Sequence, residues 1–207
     1  MSLSVAQGTK RFEMSLANRT YPAAISTRHQ EIRLRDGSNL RLRHLGRGDR
    51  ERLKAFFASC STEAVRYRFM SPIKAPSESL LNYLSETDGW RHVALIVTRG
   101  QGDRESVVAE GRYVVLPERS DTADIALLVI DEMQRRGIAT LLIHRLMEIA
   151  CMRGVTLFNA DVLAENHAML SLFRKIGRPK STAVAAGAIH LEIPINCIQA
   201  DWLAEAA

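Results

Sequence analysis

Charged and apolar residues alternate on both sides of one tight turn near the start of the ordered pattern. Ile32 and Leu34 are interleaved with charged residues, Asp36-Gly37-Ser38 supplies turn chemistry, and Leu40 and Leu42 resume the alternation. That pattern predicts a β-hairpin. From Asp49 the period becomes helical, with Leu53, Phe56 and Phe57 on one face and Asp49 placed as the cap. Short helices are predicted through Ala64 to Arg68 and over Ser77 to Ser85, with Pro72 and Pro76 breaking the chain between them. Strands follow at His92 to Thr98, Ser106 to Leu116 and Thr122 to Ile130, and their short connections imply an antiparallel meander. The clearest helical period runs from Ile138 to Arg153, where Ile138, Leu142, Leu146, Ile149 and Ala150 share a face and Gly154 is a fitting stop. A strand over Val155 to Leu163 then has a helix between it and its predecessor, the signature of a parallel pairing. A helix from Asn166 to Ile176, closed by Gly177, and two short strands around Ala183 and over Ile189 to Ile193 complete the sheet.

Residues 1–28 lack steady periodicity and read as a flexible extension ahead of a single domain over 29–207. That length suits one full core and is short for two. No apolar run is long enough to cross a bilayer, and no membrane association is expected. Cys60, Cys151 and Cys197 are odd in number and far apart, without disulfide or zinc-type spacing. This points to a reducing cytoplasm, with Cys151 packed within its helix rather than nucleophilic. The histidines show no ligand spacing, so no metal is assigned. A net charge of +5 and a pI near 9.4 invite a nucleic-acid reading. However, the basic residues are scattered among apolar ones, as in Arg33-Leu34-Arg35 and Arg41-Leu42-Arg43, and no aromatic residues interleave with them to stack bases. Nucleic acid is therefore not an expected partner.

Candidate chemistry concentrates in Gln134-Arg135-Arg136-Gly137-Ile138-Ala139, which joins the apolar strand ending at Ile130 to the strongest helix. A glycine-bearing turn into a helix leaves backbone N–H groups unpaired and adds the positive end of the helix dipole, an arrangement suited to a phosphate. An ordinary strand-to-helix connection with solvated arginines fits these six residues equally well.

Asn166, opening the next helix, and the order of elements around it narrow the choice. A strand, the glycine loop, a helix, a strand and an Asn-led helix closed by glycine resemble the GNAT-type N-acetyltransferase superfamily, whose cofactor signature is Gln or Arg, two variable residues, Gly, one variable residue, then Gly or Ala. The match covers about residues 31–195. Leu34-Arg35-Asp36-Gly37, Arg66-Tyr67-Arg68-Phe69, Ala123-Asp124-Ile125-Ala126 and Val162 to Leu170 are most similar to the bacterial protein lysine acetyltransferases. The resemblance implies an α/β (α+β) fold, with a mixed, mostly antiparallel central sheet and helices on both faces. It implies acetyl-CoA as cosubstrate and a protein lysine as acceptor, with a small amine as the alternative. A non-catalytic acyl-CoA-binding regulatory module is the reading outside enzymes, and a homodimer is left open.

The same resemblance suggests roles. Leu128, Val129 and Ile130 with Gln134, Arg135, Arg136, Gly137, Ile138 and Ala139 would hold the cofactor, and a backbone N–H near Leu128 or Val129 would polarise the thioester carbonyl. A lysine ammonium of pKa about 10.4 must lose a proton before attack, and Asp124 stands where related enzymes carry a Glu base; as a shorter side chain it would need a bridging water. A surface residue on a half-exposed strand is the alternative for Asp124, and Glu110, Asp161 and Glu165 are further candidates. Asn166 would bond the pantetheine or cap its helix. Phe173 stands where many members place a proton-donating Tyr, and Arg178 stands where a Phe is usual.

Overall fold

A computed structural model describes residues 29–71, 73, 75–185 and 187–196. The predicted extension, Pro72 and Cys197 lie outside the described residues. One mixed sheet organises the chain. The hairpin is formed by β1 (Gln30–Arg33) and β2 (Asn39–His44), followed by α1 (Arg50–Ser59), α2 (Thr62–Phe69) and α3 (Glu78–Ser85). The meander is β3 (His92–Arg99), β4 (Ser106–Val115) and β5 (Thr122–Val129). Then come α4 (Ile138–Met152), β6 (Leu157–Leu163), α5 (His167–Gly177), β7 (Lys180–Ala185) and β8 (Ala188–Pro194). The strand order is β1-β2-β3-β4-β5-β6-β8-β7. Every neighbouring pair is antiparallel except β5 with β6, so the sheet is mixed and mostly antiparallel, as the pattern implied.

Period-two alternation decides which face each residue serves. On β4, Ala109, Gly111 and Tyr113 face α4. A Cβ on Gly111 would meet Leu146 Cδ1 at 3.2 Å and Leu142 Cβ at 3.6 Å, so the missing side chain lets α4 lie close to the sheet. Glu110 and Arg112 face the opposite way, where Arg112 Nη1 donates to the Leu84 carbonyl of α3 at 3.0 Å. Helices α1–α3 thus cover one face, and α4 with α5 the other. Leu142, Ile143, Leu146 and Ile149 of α4 are wholly buried with Tyr113 and Phe158 in the core between α4 and the sheet.

Local details depart from the pattern in three places. Asp49 occupies the N-cap position of α1 but does not cap it. Its carboxylate instead accepts from the Gly46 N–H at 2.8 Å and from both terminal nitrogens of Arg43. Gly177 is the last helical residue rather than the stop. The left-handed position is Arg178, with φ 47°, and Gly177 is needed because a Cβ there would fall 2.6 Å from Ile193 Cγ2. The β6 strand begins at Leu157 rather than Val155, because the Val155 N–H bonds the Ala150 carbonyl to close α4. Cys151, read as packed within its helix, is partly buried against the core.

Candidate active site

Strands β5 and β6 pair only through Thr122–Leu157, Ala123–Phe158 and Asp124–Asn159. Beyond Asp124 they part, and a cavity of about 400 Å³ opens between them, with α2 on one side and α5 on the other. Backbone register tells which groups face the opening. The Ile130 N–H donates to the Val108 carbonyl at 3.0 Å. In an antiparallel ladder hydrogen-bonded pairs recur every second residue, so Leu128 also bonds β4, through Glu110 opposite it. The N–H groups of Leu127 and Val129 therefore point away from β4, into the split. Of the two amides nominated from sequence, Val129 faces the cavity and Leu128 does not. The Val129 carbonyl faces the same way and accepts from the Gln134 side chain at 3.2 Å, which ties the loop to the strand.

The glycine loop closes one end of the cavity. Arg135 and Gly137 adopt left-handed backbone, φ 60° and 83°, and turn the chain into α4. The first bond of α4 runs from the Leu141 N–H to the Gly137 carbonyl, and no side chain caps the helix. The amides of Ile138, Ala139 and Thr140 precede that bond and sit at the positive end of a 15-residue helix. That end accommodates a diphosphate, which fits the group the sequence signature implied. Leu128, Val129, Gln134, Arg135, Gly137, Ile138, Ala139, Asn166 and Phe173 all line the cavity.

Three nominated residues lie off its wall. Ile130 is held against β4 by the bond described above. Arg136 turns back to the hairpin and pairs with Asp36. Asp124 sits at the crotch where the strands part, not on the lining, and is exposed at the surface; partial desolvation among its neighbours raises its pKa above the usual carboxylate value, and the charge of Asp161 adds to this. Asp161 does line the cavity, and its carboxylate bonds His190 Nδ1 at 2.6 Å. Register explains the meeting, since Asn159 lies beside Asp124 and Asp161 shares its face. Asn166 caps α5, its side chain accepting from the Met169 N–H at 3.1 Å. Phe173 is buried and offers no proton.

Sequence reasoning gave α2 no residue of its own in the site. The helix nevertheless supplies Arg68 to the cavity wall, and Ser61 at its start bonds Asp131 through both N–H (3.0 Å) and hydroxyl (2.9 Å). Arg66 spans the mouth to Glu165, ahead of α5. Beneath Arg68 lies a buried cluster. Glu110 accepts from Arg112 Nε at 2.5 Å, and Arg112 Nη1 lies 2.8 Å from His92 Nε2. A charged pair two residues apart in the otherwise apolar β4 was the only trace of it in the sequence. Among the described residues, no group of three His, Cys, Asp or Glu side chains could hold a metal ion.

This arrangement matches known proteins. A model of the acetyltransferase (GNAT) family covers residues 58–177, more than half of the chain, and the chain belongs to that family. Acetyltransferase Pat of Mycolicibacterium smegmatis is 34% identical over 146 residues, 70% of this chain and 43% of that protein. The chain thus spans less than half the length of that relative. Acetyltransferase PA5475 of Pseudomonas aeruginosa is 27% identical over 75% of this chain and 83% of its own. The crystal structure of the GNAT domain of S. lividans PAT superposes with a TM-score of 0.73 at 29% identity, covering 80% of this chain and 96% of that one.

Proposed function

We propose that the protein transfers an acetyl group from acetyl-CoA to a protein lysine. The observation that carries this reading is the split between β5 and β6, ending on the uncapped start of α4. It offers one continuous path for a diphosphate and a thioester arm. The loop amides with Arg135 hold the diphosphate, and the Val129 N–H holds the thioester oxygen as it gains charge. Asp124 accepts the proton of the incoming ammonium through a chain of waters, because its carboxylate stands back from the lining and several residues along β5 from Val129. Its raised pKa makes it a better proton acceptor than an ordinary Asp. Phe173 donates nothing, and a thiolate leaves without that help. Likeness to Pat and to the S. lividans PAT domain supports lysine as the acceptor.

A small cationic amine as acceptor gains one observation of its own. The charge of Asp161 helps to raise the pKa of Asp124, and the ammonium groups of a polyamine would offset that charge. Incubation with isotopically labelled acetyl-CoA, an acceptor protein mixture and a panel of small amines, read by mass spectrometry, separates the two. Label on protein lysines supports the proposal. Label confined to small amines replaces it with the second reading, and transfer to neither refutes both.

A further inference from the structure

Arg68 carries a charge that the fold leaves unbalanced. Its side chain is 9% exposed, and its nearest carboxylate, Glu110, lies 3.8 Å away. Glu110 is wholly buried and already joined to Arg112 at 2.5 Å. The third member, His92, is buried beside the Arg112 guanidinium, and these two effects push its pKa down to about 4, so it is neutral near pH 7. Two guanidinium groups therefore share one carboxylate, and arginine does not give up its proton. Arg68 Nε and Glu110 Oε2 both lack hydrogen-bond partners. Closing the gap between them would satisfy both atoms and leave the excess charge in place. Two other acids on this side of the cavity, Glu63 and Asp131, are exposed and already bonded by the Tyr67 hydroxyl and by Ser61. The Phe69 ring, 5.0 Å from the Arg68 guanidinium carbon, supplies no net negative charge, and a desolvated charge with only a shared counter-charge destabilises a fold, so its presence on a cavity wall calls for a ligand.

We infer that Arg68 forms a carboxylate-binding subsite in the cavity, taking a carboxylate borne by the transferred acyl chain or by the acceptor beside its amine. Register places this subsite toward the acyl end. Glu110 lies opposite Leu128, next to the Val129 amide, whereas Asp124 is four residues back along β5, about 13 Å. The acyl donor class is thus the thioester of a dicarboxylic acid, used alongside acetyl-CoA. The step is unchanged. The ammonium gives one proton to the base, the freed amine nitrogen forms the amide bond as the C–S bond breaks, and the second proton lost by nitrogen neutralises the departing coenzyme A thiolate, while the distal carboxylate stays bound and unreacted.

The inference rests on the acyl-CoA reading of the cavity, and its test separates the two. Full-length protein and its Arg68→Gln and Arg68→Lys variants are assayed with succinyl-CoA against acetyl-CoA on one lysine peptide. Free lysine against 1,5-diaminopentane, with acetyl-CoA as donor, forms the second arm. Arg68→Gln is expected to lower the succinyl-to-acetyl ratio of kcat/KM by roughly 10- to 100-fold, with Arg68→Lys in between. A fall confined to the lysine-to-diamine ratio assigns the carboxylate to the acceptor. Neither ratio moving overturns the subsite while leaving acetyl transfer standing. Calorimetry with S-(3-carboxypropyl) coenzyme A against S-butyl coenzyme A reads the same preference without turnover, so loss of transfer does not obscure it. Because Arg68→Gln removes an unbalanced charge and leaves Glu110 paired with Arg112, its Tm should hold or rise. A clear fall in Tm would make Arg68 a structural residue and overturn the inference.

Discussion

The two sides of the sheet handle buried charge in opposite ways. On the closed side, where β2, β3 and β4 pair along their lengths, Arg43 and Arg52 meet Asp49 and Glu105. Arg43 lies 2.5 Å from Asp49 and 3.1 Å from Glu105, and Arg52 lies 3.3 Å and 3.4 Å from the same two acids. Two positive and two negative groups cancel. Toward the split, where β5 leaves β6, Arg68 and Arg112 share the single buried carboxylate of Glu110. Balanced groups there hold the hairpin, α1 and the β3–β4 turn in register. The unbalanced Arg68 lines the cavity, where the proposed carboxylate would complete it. The contrast teaches that in this fold a missing counter-charge marks the site, while charge alone does not.

The largest expected break in that contrast is Asp124→Asn. It should lower kcat by roughly 100-fold or more and leave Tm nearly unchanged, as steady-state assay and thermal melting will read. The base works deprotonated, so wild-type activity should fall as pH drops through a pKa above the ordinary Asp value. Wild-type activity that shows no such limb, or a variant at full rate, would remove Asp124 from the mechanism. Asp49→Ala should act the other way. Leaving Arg43 buried without its main partner should cost about 3–5 kcal/mol in urea unfolding, with KM for acetyl-CoA unaltered in the folded fraction.

Next in size is a pH effect from His92. Its folded pKa, about 4, lies below its unfolded value of 6.5. Between these values the unfolded chain takes up the proton first, so stability is complete above 6.5 and declines as pH falls toward 4. The loss should reach up to about 3 kcal/mol, and His92→Gln should flatten that part of the curve. The smallest effect is expected from Arg66→Ala. Its ion pair with Glu165 is solvent-exposed, so Tm should not move measurably. A change in KM for the acceptor would then report on the mouth of the cavity.

The fold was largely legible because its signals are local. Alternation around Asp36-Gly37 yields the hairpin, the 3.6-residue period from Ile138 yields α4, and the intervening helix makes β5 and β6 parallel. The loop and Asn166 were legible for the same reason, each being a short segment that carries its own geometry. What escaped depends on register and on meetings between distant elements. Whether Leu128 or Val129 offers its amide follows from the Ile130–Val108 bond. Asp161 joins Asp124 only once Asn159 is known to lie opposite. Arg68 reaches Glu110 across the gap between α2 and β4, and no spacing along the chain encodes that approach. Asp49 carried the composition of a cap but was claimed by Arg43, a case where tertiary pairing overrides local preference.

A crystal structure of the protein with an unreactive acetyl-CoA analogue tests the central claim most directly. The account predicts the diphosphate against the amides of residues 138–140 and the thioester-equivalent oxygen about 2.7–3.1 Å from the amide of Val129 or Leu127. A diphosphate bound away from the 134–139 loop, or an acyl group on the β4 side of β5, would contradict it.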